Sequence, residues 1–598
     1  MDIMKPREIM EIPNGEEWLY EVKYDGFRCI LSWDKDHIQL TSKNNKDLTV
    51  NFPEIINDCR DNLMSVQSYL PLQLDGELVV LNNAYQANFA WIQKRSRYKA
   101  KDAINTAMHI RPATFMVFDL LKKSGTNLST ESFQARKQLL NRLFSRLGLA
   151  TSLRMVTSYD NPDQLWQKIN DYKGEGIVAK RKTSIYTEGK KHHDWFKIKN
   201  WRTIQVFLTD MHLENHYFTV NVYQNRDVKA IGKCKHGLDK ETMETLKHVF
   251  LTKGKKQGNV LTLPPAICAS VHTLDLYKGE IREPRFNALL PDVSPTDCTK
   301  AQLILDMAML PPNIEITNAP KMIWPEMVTK GGLVAYVREV SPYMLPFLKG
   351  KLLTVIRAPD GIQGKHFFQK YLASYAPKCI DFVETDDGKR IVCNTLDTLI
   401  WLANHGAIEY HIPFQTIETD HPNEIIFDLD PPSKEQFVLA IQAANIIKSL
   451  LDELNLISFV KTSGNKGLQV HIPIPVGRMT YEETAIFTQA IAQTVEKAYS
   501  DLFTTERLKK NRQGRLYIDY VQHGKDKTLI APYSPRKTTD ATVATPLYWH
   551  EVKSGLVPEQ FTINTIEERI KMFGCPFASY FYSGQKQQLN KVLKMING

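Results

Sequence analysis

The stretch Trp18 to Leu31, WLYEVKYDGFRCIL, sets two apolar-rich arms on either side of Lys23-Tyr24-Asp25-Gly26. An Asp-Gly pair between such arms predicts a β-hairpin, because glycine can take the positive φ that a tight turn requires. Lys23 would then stand at the mouth of the turn, close to Glu21 and Arg28. Taken alone, this is also the pattern of a surface hairpin with a solvated lysine. What separates the two readings is whether the rest of the chain supplies the groups a reactive lysine needs.

Outward from this stretch, His37 to Thr41 reads as a short strand with Ser42-Lys43-Asn44-Asn45 as its turn, and Pro53 to Leu63 has helical spacing. Pro71 to Asn82 (PLQLDGELVVLN) predicts a second Asp-Gly turn running into an apolar strand, with Glu77 just after the glycine. Thr114 to Leu121 (TFMVFDLL) predicts a buried strand carrying Phe118 and Asp119, and Ser132 to Leu147 a helix with basic residues on its polar face. Gly174 to Arg181 (GEGIVAKR) predicts a strand that starts at Glu175. In Asp194 to Asn200 (DWFKIKN), alternation puts Lys197 and Lys199 on one face and Phe196 and Ile198 on the other.

Attack of a lysine amine on a nucleoside triphosphate requires a neutral amine, a metal to offset phosphate charge, and cations around the pentavalent phosphate. Desolvation or neighbouring cations can free the amine near neutrality. Lys197 and Lys199 could be those cations, Glu77 and Glu175 could hold a divalent ion, and Phe118 could stack on a base. Each residue singly also fits a solvated strand face, a rim or the core.

In order, K-x-D-G, D-G-E, F-D-x-L, E-G-I-V-x-K and W-x-K-x-K resemble the nucleotidyltransferase motifs of ATP-dependent DNA ligases. RNA ligases and capping enzymes resemble them more distantly. The resemblance implies that Lys23 forms a lysyl-AMP intermediate and that Glu21 contacts the adenine edge. It further implies Arg28 on the ribose or 5′-phosphate strand, Phe118 against adenine, Glu77 and Glu175 at the sugar and metal, and Lys197 and Lys199 on the α-phosphate. Where many members have Ser-Arg-Asn-Gly, this chain has Ser42-Lys43-Asn44-Asn45, so that Lys43 keeps the charge of a nick-phosphate contact. Ile204 to Ile231 and Leu261 to Leu276 alternate as antiparallel strands, for which the resemblance implies an OB-fold. Ile281 to Phe286 (IREPRF) resembles the last motif of the family, with Arg282 and Arg285 orienting pyrophosphate. An exposed basic loop fits that short run equally.

Residues 296–320, rich in proline, read as a linker between an adenylation domain over 1–200 with an OB-fold over 201–295 and a second module over 321–598. There Glu424 to Pro432 (EIIFDLDPP) delivers Asp428 and Asp430 to one face of an apolar strand, as two-metal phosphoryl transfer needs, although a solvated Asp-x-Asp at a strand end is also common. Arg515 to Val521 adds Asp519 inside an apolar strand, where an unpaired charge would be costly. Lys461 to His471 (KTSGNKGLQVH) adds a loop whose amides and lysine suit a triphosphate.

F-D-L-D-P-P, K-T-S-G-x-K-G-L, I-D-Y and A-P-Y-S-x-R resemble the polymerase domain of bacterial ligase D, within the archaeal–eukaryotic primase superfamily. This implies Asp428, Asp430 and Asp519 as Mg2+ or Mn2+ ligands, Ser463, Lys466, Arg536 and Lys330 on the incoming nucleoside triphosphate, and Phe367 and Phe368 stacked on template bases. Gln469 stands where many members have a histidine, with His471 on the same strand face.

The fold class expected is therefore α+β multidomain: nucleotidyltransferase, OB-fold barrel, then a primase-like α/β polymerase. The two modules together resemble the ligase D family of bacterial non-homologous end joining. That implies a DNA ligase and polymerase that uses ATP, fills or extends ends with a ribonucleotide preference, and works on double-stranded DNA ends and nicks with a Ku homodimer. A net charge of +10 and pI near 8.9 suit a polyanionic partner. Eight scattered cysteines without a C-x-x-C pair fit a reducing cytoplasm, and neither a membrane-spanning apolar run nor the apolar core of a secretory signal is present. Two rivals remain at this stage: an RNA-repair ligase–polymerase and a catalytically inactive DNA-end-binding scaffold.

Overall fold

A computed structural model describes residues 3–148, 152–189 and 191–597. The chain forms two compact units, Met1–Met309 with Lys571–Gly574 and Leu310–Ile570 with Cys575–Gly598.

In the first unit the arms around Lys23 do not form a hairpin. Trp18–Val22 joins a five-stranded sheet with Lys5–Glu8, Lys191–Lys199, Gly176–Arg181 and Ser158–Tyr159. Phe27–Trp33 joins a different sheet, between Ile38–Ser42 and Leu72–Val79, with Thr114–Lys123 beyond. Residues 23–26 therefore cross from one sheet to the other. Gly26 is needed for close approach and not for a positive φ, since a Cβ there would lie 2.3 Å from the carbonyl oxygen of Leu78. The second Asp-Gly pair is also no turn. Asp75 and Gly76 lie inside the strand Leu72–Val79, where pairing with Thr114–Lys123 slips by a bulge and the glycine gives room to the Phe115 ring.

The helix Phe133–Phe144 is N-capped by Ser132, but its basic residues are not all on a polar face. Arg136 and Lys137 point inward and are buried, because each has a buried carboxylate to meet. The OB-fold is a curled antiparallel sheet of Asp227–Cys234, Phe218–Gln224, Arg202–His212, Val260–Thr273 and Lys255–Gln257, with Arg285–Leu289 also paired to Val260–Thr273. The helix Lys240–Lys253 buries Leu246 and Phe250 in its core. The expected linker is partly built into this unit: the helix Lys300–Ala308 buries Leu303 in the same core, and Asp306 accepts from the amide of Gln205 at 2.9 Å. The division between units falls after Met309.

The second unit is organised on a six-stranded sheet in the order Phe503–Thr504, Leu516–Asp519, Glu424–Asp430, Leu468–Pro473, Phe459–Thr462, Pro546–Leu547. Ile425, Phe427 and Leu429 enter the main core on one face of Glu424–Asp430, so the two-residue period leaves Asp428 and Asp430 on the other. A four-stranded sheet places Thr354–Arg357 between Phe367–Gln369 and Ala407–Ile412, with the helices Lys330–Leu348 and Leu396–Asn404 packed together. Among the described residues no helix is long and apolar enough to cross a membrane.

Candidate active sites

Lys23 leaves the end of one sheet and donates to Glu175 Oε1, which precedes the neighbouring strand Gly176–Arg181. Burial alone would depress its ammonium, but Glu175, then Asp25 and Glu77, outweigh burial and hold Lys23 above the ordinary lysine range. The expectation that nearby cations free this amine therefore does not hold for the ion-paired state, since Lys197 and Lys199 are engaged elsewhere. Burial pushes Glu77 up to about 8, with Lys23 and Arg28 opposing and Glu175 and Asp25 assisting. Glu175 is also raised, chiefly by burial, and among the described residues its Oε2 is buried without a hydrogen-bond partner. An orphaned acceptor beside a carboxylate that burial keeps protonated is a donor set that fits a divalent cation.

Glu21 is not a free acceptor. Its Oε1 accepts from Lys137 at 2.5 Å and Ser158 at 2.8 Å, and its Oε2 from Lys180 at 2.7 Å. Burial opposes ionisation of Glu21, yet the two ammonium groups hold it below the usual carboxylate range. One carboxylate between two cations leaves local positive charge, so burial and Lys137 hold Lys180 below the lysine range. Its ammonium lies 4.2 Å from the Phe118 ring centroid and 4.3 Å from that of Trp195. Phe118 is half-buried and has Arg28 at 5.2 Å. Arg28 is itself clamped by Asp75 at 2.7 and 3.0 Å and by the Met4 carbonyl at 2.6 Å. Lys43 is exposed and donates its amide to the Arg28 carbonyl.

The OB-fold contributes to this site. Arg282 grips Asp25 with two bonds of 2.5 and 2.8 Å, and Glu283 accepts from Lys199 at 2.6 Å. Glu8 lies 3.2 Å from Lys197, 3.1 Å from Lys199 and 3.4 Å from Arg285. The four cations read from the sequence are thus gathered, each already facing a carboxylate.

In the second unit one cleft is lined by Asp428, Asp430, Ser463, Lys466, Gln469 and Arg536 among others. Asp519 stands opposite Asp428 in register on the adjoining strand. Burial, with Asp519 and Asp430 adding, raises Asp428 to about 6 against the lowering bond from Gln469, and burial also raises Asp519. Carboxylates that resist ionising beside one another fit cation binding. Asp430 is neutralised by Lys466 at 2.9 Å and Arg512 at 3.1 Å, and among the described residues no three metal-ligating side chains converge as they stand. The loop 463–467 folds on Ser463, whose Oγ accepts from the amides of Asn465 and Gly467. Arg536 Nε sits 3.4 Å from Glu409 but outside hydrogen-bond geometry. Phe367 and Phe368 are exposed, the latter by 68%, with Arg357 at 5.1 Å from the Phe367 ring.

Two expected residues fall elsewhere. Lys330 is not among the residues lining the cleft; buried just after the N-cap Thr329, it donates to Thr317 Oγ1 at 3.0 Å. His471 cannot replace the missing histidine, because it is buried against Glu424 at 3.1 Å. Gln469 takes that place, donating to Asp428 at 3.0 Å while accepting from buried Lys461 at 2.5 Å. Burial and Arg536 bring Lys461 down to about 7, against Asp428 and Glu424.

The two halves match separate family models, ATP dependent DNA ligase domain over residues 2–199 and LigD, primase-polymerase domain over 329–577. The bifunctional non-homologous end joining protein LigD of Bacillus subtilis (strain 168) is 41% identical over 603 residues, 99% of either chain. This chain belongs to the LigD family. The multifunctional LigD of Pseudomonas aeruginosa is 23% identical over 98% of this chain and 73% of its own length. The solved polymerase domain of Mycobacterium tuberculosis Ligase D in complex with DNA is 28% identical, covering 45% of this chain and 97% of its own, with a TM-score of 0.42. As a LigD protein the chain carries an ATP-dependent DNA ligase and a primase-polymerase, each a nucleotidyltransferase.

Sequence reading missed several members of these LigD sites. Lys180 was visible, as the last residue of E-G-I-V-x-K, and Asp25 and Asp75 sit in the Asp-Gly pairs. Glu283 sits in IREPRF between the two arginines, whereas Lys137, Glu8 and Arg512 belong to none of these motifs, and only the folded chain brings them in.

Proposed function

We propose that the polymerase fills or extends broken DNA ends, preferring ribonucleotides, and that the ligase then seals the nick through a lysyl-AMP on Lys23, with a Ku homodimer holding the ends. The observation that carries this reading is the position of Lys23, on the link between two sheets, facing Glu77 and Glu175 with Arg282 clasping Asp25 beside it. Adenylyl transfer forms a bond from Nζ to the α-phosphorus and releases pyrophosphate. The ion pair with Glu175 keeps the amine protonated until that carboxylate is engaged elsewhere; burial, which on its own depresses an ammonium, then favours the neutral amine. Lys197, Lys199, Arg282 and Arg285 would receive the phosphate charge.

Glu77 and Glu175 would hold the divalent cation, which supplies charge neutralisation of the triphosphate. In the polymerase, Asp428, Asp430 and Asp519 would hold Mg2+ or Mn2+, and Ser463, Lys466 and Arg536 the nucleoside triphosphate. For Asp430 this requires Lys466 and Arg512 to turn outward, and Lys466 has a triphosphate to turn toward. Phe367 and Phe368 would take unpaired bases, and Lys43 a nick phosphate. Work on the bacterial chromosome would follow, in the cytoplasm.

The test is incubation with each α-labelled nucleoside triphosphate in turn. ATP should label the protein, Lys23→Ala should abolish the label, and Asp428→Ala should keep the label but lose nucleotide addition. Nick sealing on RNA duplexes alone would refute the DNA reading. No label with any nucleotide would refute the enzyme itself.

A further inference from the structure

Glu8 belongs to none of the ligase motifs, yet it is the carboxylate around which three of the four phosphate-site cations gather. The strand Lys5–Glu8 runs parallel to Lys191–Lys199 with Glu8 in register with Lys197. On that shared face Oε2 reaches Lys197 at 3.2 Å and Lys199 at 3.1 Å, while Oε1 lies 3.4 Å from Arg285 of the OB-fold. Stability accounts for only part of this concentration: Glu8 is 28% exposed, Lys197 29% and Arg285 39%, and pairs so exposed contribute little to folding, which leaves only the pair with Lys199, 7% exposed, to add to it. Two carboxylate oxygens carrying one negative charge offer these cations what two phosphate oxygens would offer.

We propose that Glu8 is an internal competitor for the triphosphate site. It occupies Lys197, Lys199 and Arg285 between turnovers, and nucleotide binds by displacing it. Its return to the cations weakens the hold on pyrophosphate and so favours product departure. This rests on the reading of these cations as the phosphate site.

Glu8→Gln in the full-length protein tests it, because the neutral side chain keeps the strand and its shape. Glu8→Ala is carried alongside, and Glu11→Gln removes a charge from an exposed position of the same segment as a control. Three readouts are taken: KM for ATP in single-step labelling of Lys23, inhibition by pyrophosphate, and the rise in melting temperature that pyrophosphate produces without turnover. Both Glu8 variants should lower the KM about five- to tenfold and tighten pyrophosphate binding by a similar factor, as expected for removal of a few partly exposed ion pairs. Glu11→Gln should match wild type. Unchanged or weaker ATP and pyrophosphate binding in both Glu8 variants, with labelling of wild type intact, would overturn the proposal and leave the ligase reading standing. A wild-type protein that takes no label would instead overturn the reading on which it rests.

Discussion

Replacing Glu21 by glutamine should destabilise the first unit by several kcal/mol, although the change is conservative. The carboxylate, its side chain 2% exposed, neutralises Lys137 and Lys180, whose side chains are 6% and 3% exposed. Breaking a buried pair by neutralising one partner costs about 3–5 kcal/mol. For a unit of this size, at roughly 2 °C per kcal/mol, the melting temperature should fall by about 6–10 °C. The two lysines are not equivalent. Lys137 also donates to the Val156 carbonyl at 2.7 Å and keeps a partner, whereas Lys180 is left among aromatic rings. Adding Lys180→Met should therefore recover at least half of the loss, because an apolar side chain suits that cage. The sign with pH follows from Glu21, whose folded pKa lies below its ordinary value. Its contribution is present in full above the unfolded pKa and is lost as pH falls through the folded one. The gap between wild type and Glu21→Gln should be widest near neutrality and close below about pH 4.5. Thermal unfolding followed by circular dichroism across pH measures all of this. A shift under about 2 °C at neutral pH, or no recovery in the double variant, would refute the buried-counterion account.

Three further outcomes are expected. Phe368→Ala, at an exposed ring, should weaken binding of a single-stranded overhang by about 1–3 kcal/mol in fluorescence anisotropy while leaving the melting temperature in place. Metal binding, followed by calorimetry, should strengthen with pH through about 6 as Asp428 ionises, and Asp519→Asn should move that midpoint to lower pH, since it removes a charge that raises Asp428. Gly26→Ala should cost more than 2 kcal/mol in denaturant unfolding, roughly the scale of overpacking, because its Cβ would press on the Leu78 carbonyl.

Period-two patterns proved legible. Lys197 with Lys199, and Asp428 with Asp430, share the faces that alternation assigned them, because each strand buries its intervening residues. Strand partners were not legible. Trp18–Val22 and Phe27–Trp33 look like hairpin arms locally, but their hydrogen bonds go to Gly176–Arg181 and Leu72–Val79, 155 to 163 and 39 to 51 positions away along the chain. Buried ion pairs were hidden for the same reason. Arg136 and Lys137 resemble a solvated helix face until Asp119 and Glu21 are brought against them. Lys330 reached the nucleotide only through the resemblance, and buried at the start of its helix it donates to Thr317.

The four residues Lys23 to Gly26 act as a rivet through two plates. Each sheet ends at the rivet, so a change there alters how the plates align as well as what the lysine can do. Scanning mutagenesis across this segment will rank positions by alignment and chemistry together. Only changes confined to the tip of Lys23, beyond the carbons that the sheets hold, can tell the two apart.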